Sequence, residues 1–152
     1  MASLKQAQYV REQYPDSEVS IFYIDLRTPG RYENFAQKIL ADPQVKTIKG
    51  KVAAVEEDIR SSGVWITAED AIAGRQIKDC FDLVVLATGM QPSLTGQNLP
   101  LDIDLDEQGF AHGSEEKGIF AAGCAVEPLD VMKSAQSATG AAMQAIQTVR
   151  GR

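Results

Sequence analysis

Two places in the sequence lead an apolar run straight into glycine, and they are where chemistry could reside. In the first, Asp82-Leu83-Val84-Val85-Leu86-Ala87 runs into Thr88-Gly89, and Pro92 then turns the chain away. In the second, Gly118-Ile119-Phe120-Ala121-Ala122 runs into Gly123-Cys124, with Pro128 and Asp130 ahead of a long helix-patterned segment. A residue without Cβ lets a bound group approach the backbone closely. A helix N-terminus aimed at a cavity adds free N–H groups and a positive dipole end, which suits a phosphate or another partly anionic group. Any α/β protein has turns of this kind, so each junction alone says little. The two together, in this order, say considerably more.

The usual catalytic constellations are missing. The one histidine, His112, has no serine or cysteine motif around it and reads as a solvated connector residue. The acidic run Glu56-Glu57-Asp58 reads as a solvated turn, and no G-x-x-x-x-G-K-[ST] loop is present. Two cysteines, Cys80 and Cys124, cannot supply the four thiolates of a zinc or iron–sulfur site. Any redox or transfer chemistry must therefore come from a cofactor.

The elements that position the junctions follow from hydrophobic spacing. Leu4, Ala7, Val10 and Tyr14 mark a helix that Pro15 ends. Val19–Leu26 is a nearly continuous apolar run, predicted to be a strand covered on both faces of a parallel sheet. Tyr32, Phe35, Ala36, Ile39 and Leu40 form the apolar face of a second helix, and Val45–Ile48 a second strand. Lys51–Glu57, Gly63–Ala68 and Arg75–Lys78, with glycine-containing turns between them, predict an antiparallel meander. Asp82–Ala87 is expected to be a second buried strand, Ile119–Ala122 a short one, and Leu105 with Phe110–His112 a strand pair. A closing helix carries the stripe Val131, Ala135, Ala138, Ala142, Ala145 or Ile146, and Val149, with Asp130 as its N-cap. The fold class read from this order is α/β: a Rossmann-like parallel sheet with an antiparallel β-meander. Its core is expected around Val19–Leu26 and Leu83–Ala87.

Composition bounds the partners. The chain has 152 residues, 44% of them hydrophobic and 24% charged, which is ordinary for a globular protein. Lys+Arg 15 against Asp+Glu 21 gives a net charge of −6, so a nucleic-acid backbone would be repelled. No apolar run approaches the roughly 18 residues of a membrane-spanning helix. Met1–Gln6 lacks the apolar stretch of a secretory signal. Free cysteines fit a reducing compartment, and a cytoplasmic location is expected.

The sequences DLVVLATGMQP and GIFAAGCA resemble the two closing motifs of two-dinucleotide-binding-domain flavoproteins. The Gly-Cys-Ala at 123–125, the Pro-x-Asp at 128–130 and the earlier YIDLRTPGRYENF at 23–35 resemble a narrower branch, the heterodisulfide reductase A-subunit family. Within it, GCAVEPLDVMKSAQSATGAA is most similar to the A-subunit branch of quinone-interacting membrane-bound oxidoreductase complexes. The resemblance implies FAD as cofactor, with contacts at Thr88, Gly89, Gly123, Cys124, Val131 and Met132. It implies iron–sulfur and quinone-linked subunits as partners, and a membrane reached only through them. It also implies that residues 1–90 are most of an inserted nucleotide-binding-like domain, and 91–152 the returning C-terminal segment of an FAD domain. Where the broader class has an Asp that binds the ribityl chain, this sequence has Cys124. Three readings of Cys124 stand: a packing residue beside the flavin, a redox-active thiol, or an inert buried cysteine. Ser134, Ala135, Ala138, Gly140 and Ala141 either let the last helix approach flavin or serve ordinary helix packing.

Asp25, at a strand end, has the position of a ribose-binding acid, but no glycine fingerprint precedes the first helix. The expectation is a C-terminal fragment of an FAD-dependent electron-transfer subunit, inactive alone. The alternative is a nucleotide-binding or subunit-docking module without redox turnover. A pyridine-nucleotide disulfide reductase is the weakest reading, because Cys80 and Cys124 lie on different elements.

Overall fold

The computed structural model describes residues 1–94, 96, 97 and 101–151, which divide into two compact units, Met1–Ala87 and Thr88–Arg152. The first unit opens with α1 (Ala2–Gln13), β1 (Val19–Tyr23), α2 (Tyr32–Leu40) and β2 (Val45–Lys49). The strands β1 and β2 pair in parallel, with Val19 opposite Val45 and Tyr23 opposite Lys49. A parallel pair needs a crossover connection, and α2 is that crossover. Leu4 and Ala7 of α1, Ala36 and Ile39 of α2, and Val45 of β2 form the buried core, with Val19, Ile21, Leu26 and Phe35 packed against it. Leu4 is the largest fully buried side chain. Burial of that size is worth about 2 kcal/mol, and truncation to alanine costs roughly 2–5 kcal/mol. Both helices therefore cover the same face of the two-stranded sheet.

Arg11 fixes the end of α1. Its Nε donates to the Asp42 carboxylate at 2.9 Å, and its Nη1 donates to the carbonyls of Pro15 and of Ser17, the latter at 2.8 Å. The turn after Pro15 is thereby tied to the loop after α2.

The meander follows as β3 (Val52–Glu57), β4 (Val64–Asp70) and β5 (Arg75–Phe81), antiparallel and in sequence order. Aspartates close both hairpins. Asp58 accepts from Arg60 N–H at 3.0 Å and from the Ser61 hydroxyl at 2.7 Å; Asp70 accepts from Ile72 and Ala73 N–H at 3.1 and 3.0 Å. Such side-chain bonds are why Asp favours turns. The meander meets the parallel sheet at two points. The rings of Phe22 and Phe81 pack edge to face at 6.1 Å. At Gly50, between β2 and β3, a Cβ would stand only 1.5 Å from the Glu69 carbonyl oxygen.

The mixed α/β class, the parallel pair and the meander are those predicted from sequence. Three local expectations are corrected. The strand at Val19–Leu26 ends at Tyr23, where its partner β2 ends. Asp82–Ala87 is neither a strand nor buried: Leu83 is 77% exposed, and Val85 and Leu86 are each 66% exposed. Strand-forming residues make a strand only when another strand accepts their backbone groups, and no described strand does so here. The core accordingly sits under α1 and α2 rather than around Leu83–Ala87.

The second unit is built mainly of turns and one helix. Leu105 and Ala111 form a single antiparallel bridge, as do Ser114 and Ile119. The expected strand pair and the expected strand at Ile119–Ala122 thus reduce to isolated bridges, each too short to propagate a ladder. Between Leu105 and Ala111, the Asp106 carboxylate accepts from Gln108 and Phe110 N–H, both at 2.8 Å, and this places Phe110 and Ala111 in the buried interior. Phe110 N–H, aided by the N–H groups of Gln108 and Gly109, holds the Asp106 carboxyl below the usual range. A 3-10 turn (Gly123–Ala125) precedes α3 (Val131–Arg150), none of whose residues is buried. No described helix is long and apolar enough to cross a membrane.

Candidate functional site

The six residues singled out from sequence all lie in the second unit. The structure joins two of them, Gly123 and Cys124, to the start of the last helix. Gly123 sits at φ +64, a conformation open to glycine and strained for other residues. Its N–H donates to Ser137 Oγ at 3.1 Å, and a Cβ at Gly123 would lie 3.6 Å from Ser134 Cβ. The Cys124 thiol donates to the Leu129 carbonyl at 3.4 Å and stands 3.7 Å from Ser134 Oγ, and the residue is exposed, which corrects the reading of an inert buried cysteine. The Gly123-Cys124 turn is therefore held against the first two turns of α3 by hydroxyl and thiol contacts. Ala111 N–H donates to the Ala125 carbonyl at 2.8 Å, which ties the same turn to the buried bridge.

Asp130 caps α3 as its position in the sequence implied. Its carboxylate accepts from Lys133 N–H at 2.8 Å while its backbone is extended. The cap meets one of the orphan donors of the helix start and sets a negative charge against the dipole. Val131 and Met132, the first two helical residues, lie outside that contact, and their side chains are 88% and 54% exposed. Their N–H groups are the ones a helix of this kind presents to an outside acceptor.

Thr88 and Gly89 are placed differently. Both are exposed, and Gly89 has φ +99 with open space where a Cβ would be. Among the described residues no hydrogen bond joins them to Gly123, Cys124 or α3. Beside them Met90, Gln91 and Pro92 line an open cleft of about 310 Å³ with Gln108 and Phe110. Sequence reading missed this cleft, because Phe110 reaches it only through the turn that Asp106 closes.

The face of α3 also differs from expectation. The half-buried residues are Ser134, Ser137, Ala141, Ala145 and Thr148, while Val131, Ala135, Ala138, Ala142 and Val149 are exposed. The hydroxyls of Ser134 and Ser137 find partners on the Gly123-Cys124 turn, and that choice rotates the apolar stripe outward. Periodicity identified the helix but favoured the wrong side. The spacing of Ser134, Ser137, Ala141, Ala145 and Thr148, three or four apart, was the available signal. His112 is exposed, and its N–H donates to the Asp104 carbonyl at 2.7 Å, as fits a connector residue. Among the described residues no group of three or more His, Cys, Asp or Glu side chains is arranged to hold a metal ion.

Comparison with known proteins gives these motifs a context. A heterodisulfide reductase A-subunit-like protein of Archaeoglobus profundus is 35% identical over 98% of the chain. The chain belongs to the heterodisulfide reductase A-subunit family. It is 31% identical over 95% of its length to an iron-sulfur A-subunit of the CoB–CoM heterodisulfide reductase of Methanopyrus kandleri. It is 30% identical over 99% to the A-subunit of the H2:CoB-CoM heterodisulfide,ferredoxin reductase of Methanothermobacter marburgensis. The chain spans about a quarter of the length of these relatives, 23%, 24% and 25% respectively. No family model matches it.

Proposed function

We propose that the chain is part of an FAD-dependent electron-transfer oxidoreductase subunit that works within a heterodisulfide-reductase-like complex of sulfur or energy metabolism. The observation that carries this reading is the family similarity along nearly the whole chain, which takes in both glycine junctions. The residues present fit one contact with a flavin. Gly123, at φ +64, lets the turn close against Ser134 at the start of α3, and the Val131 and Met132 N–H groups there suit a partly anionic ring edge. When bound, the flavin supplies the electron exchange. The chain's own part is positional: Ser137 and Ser134 hold the Gly123-Cys124 turn, and Asp130 fixes the first turn of the helix. In this reading Thr88 and Gly89 give the flavin a second backbone contact. Residues 1–90 correspond to most of an inserted nucleotide-binding-like domain, and 91–152 to the returning segment of the flavin domain. Iron–sulfur and quinone-linked subunits are the electron partners, the setting is cytoplasmic, and any membrane contact is theirs.

The test is spectroscopic. The intact polypeptide containing this chain, purified without added cofactor and then titrated with FAD, is expected to show a bound flavin spectrum. A colourless protein that takes up no FAD overturns the reading.

A second reading is favoured by α3, which has no buried residue along its twenty. In that reading the chain is a nucleotide-binding or subunit-docking module without redox turnover. Calorimetry of the 152-residue chain with FAD, NADH and NADPH separates the two. Tight NADH or NADPH binding, with none for FAD in either the chain or the intact polypeptide, favours the module.

A further inference from the structure

The antiparallel meander carries opposite charges at its two ends. Lys51, just ahead of β3, and Arg75, the first residue of β5, line an open cleft of about 590 Å³ together with Glu69 and Gly74. Lys49 lies at the same end, because its carbonyl accepts from Ala71 N–H at 2.7 Å. Lys49, Lys51 and Arg75 are exposed, and no ion pair holds them among the described residues. Of the acids beside them, Glu69 is exposed, while the Asp70 carboxylate accepts from Ile72 and Ala73 N–H at 3.1 and 3.0 Å. The other end, where β3 closes at Glu57 and β5 at Phe81, carries Glu56, Glu57, Asp58, Asp79 and Asp82. A chain with a net charge of −6 thus gathers unpaired cations at one place.

The tip of the hairpin at that basic end is apolar. The turn between β4 and β5 reads Ala71-Ile72-Ala73-Gly74, where turns ordinarily use Gly, Pro, Asn, Asp or Ser. Ile72 is 77% exposed. The turn is nonetheless fixed: besides the two bonds to the Asp70 carboxylate, Gly74, at φ +63, donates its N–H to the Asp70 carbonyl at 2.8 Å. A side chain on a turn already held gives up little freedom when it is covered. An apolar centre inside a charged rim is the make-up of a protein contact.

We infer that the 71–74 tip docks into an apolar pocket rimmed by Asp and Glu side chains on another protein of the complex. Charge complementarity chooses this occupant: Lys49, Lys51 and Arg75 have no ion-pair partners among the described residues and meet carboxylates there. A second copy of the chain fits less well. A two-fold pair sets the same patch against itself, cations against cations, and basic end on acidic end is a head-to-tail contact that grows rings or filaments. The inference rests on the proposed place of the polypeptide in a multisubunit complex, and not on the flavin.

Site-directed cross-linking of the assembled complex tests it. Ile72 is replaced in the intact polypeptide by photoreactive benzoylphenylalanine, the complex is purified and irradiated, and the joined peptides are read by mass spectrometry. The expected product joins position 72 to an Asp- or Glu-rich segment of a different subunit. Cross-links confined to the same polypeptide, to a second copy or to a segment without acids overturn the inference, and so does an assembled complex that gives none. An intact polypeptide that purifies without other subunits overturns the complex reading as well, so the two failures are distinguishable. Binding supplies a second arm. Arg75→Glu and Ile72→Ser should each weaken association with the cross-linked subunit about tenfold, and raised salt should weaken the parent more than Arg75→Glu. Lys38→Glu makes a like charge change at an exposed position of α2 and should leave association unchanged; an equal loss there makes the effect one of net charge and overturns the inference.

Discussion

Gly50→Ala is the sharpest perturbation this fold offers. Gly50 joins the parallel pair to the meander, and an alanine Cβ there would stand 1.5 Å from Glu69 O and 2.7 Å from Glu69 C. Real Cβ contacts keep at least 3.0 Å, and the obstacle is backbone of β4, the central strand of the meander. Relief means parting the strands at that point. Three backbone bonds cluster there: Gly50 N–H to Tyr23 O at 2.8 Å, Glu69 N–H to Lys51 O at 3.1 Å, and Ala71 N–H to Lys49 O at 2.7 Å. Losing the last two costs about 0.5–1.5 kcal/mol each, and overpacking adds roughly 1–3 kcal/mol. The sum is about 4 kcal/mol, a large share of the 5–15 kcal/mol typical of a domain. For a chain of this size that lowers Tm by roughly 8–16 °C. Urea unfolding of the 152-residue chain, followed by circular dichroism and by fluorescence of Trp65 on β4, measures it. Gly140→Ala supplies the opposite sign. Gly140 lies within α3, nothing stands within 4 Å of its Cβ position, and alanine should stabilise by about 0.5–1 kcal/mol. A Gly50→Ala chain within about 0.5 kcal/mol of the parent would refute the packing described at this junction.

Three other predictions follow from named contacts. The Arg11 guanidinium and the Gln44 N–H hold the Asp42 carboxyl below its ordinary value. A carboxyl lowered on folding stabilises above its unfolded pKa, and that contribution fades as pH falls from about 4 through the folded value. Carboxyl NMR titration should therefore show the Asp42 midpoint move upward in Arg11→Ala; an unmoved midpoint counts against the clamp. Asp130→Ala should cost about 1 kcal/mol through loss of the N-cap, while Asp130→Asn keeps most of it; helical ellipticity of the two variants against the parent decides. Asp106→Ala removes the carboxylate that accepts from Gln108 and Phe110. Amide exchange at Phe110 and Ala111 should quicken by tenfold or more, whereas Asp106→Asn should change it less.

The residues predict different features to different depths, and the difference is physical. Helices whose contacts are local and whose stops are Pro15 or Asp42-Pro43 were legible from spacing alone. So were the three meander strands, because each hairpin is closed by a nearby aspartate or glycine. Asp82–Ala87 failed for a non-local reason: a strand needs a neighbour at hydrogen-bonding distance, and its own residues cannot supply one. The face of α3 failed because two serine hydroxyls found the Gly123-Cys124 turn, a preference that hydrophobic spacing does not register.

By itself the sequence determined the order of elements, the two glycine junctions, the N-cap at Asp130 and the family resemblance, since all of these reside in residue type and short-range spacing. Only the tertiary structure decided that the core lies beneath α1 and α2. It alone showed the Gly50 backbone crossing Glu69 and Phe110 lining a cleft beside the Thr88-Gly89 junction. Each of these depends on which distant segments meet, and backbone hydrogen bonds and steric exclusion settle that only once the chain has closed upon itself.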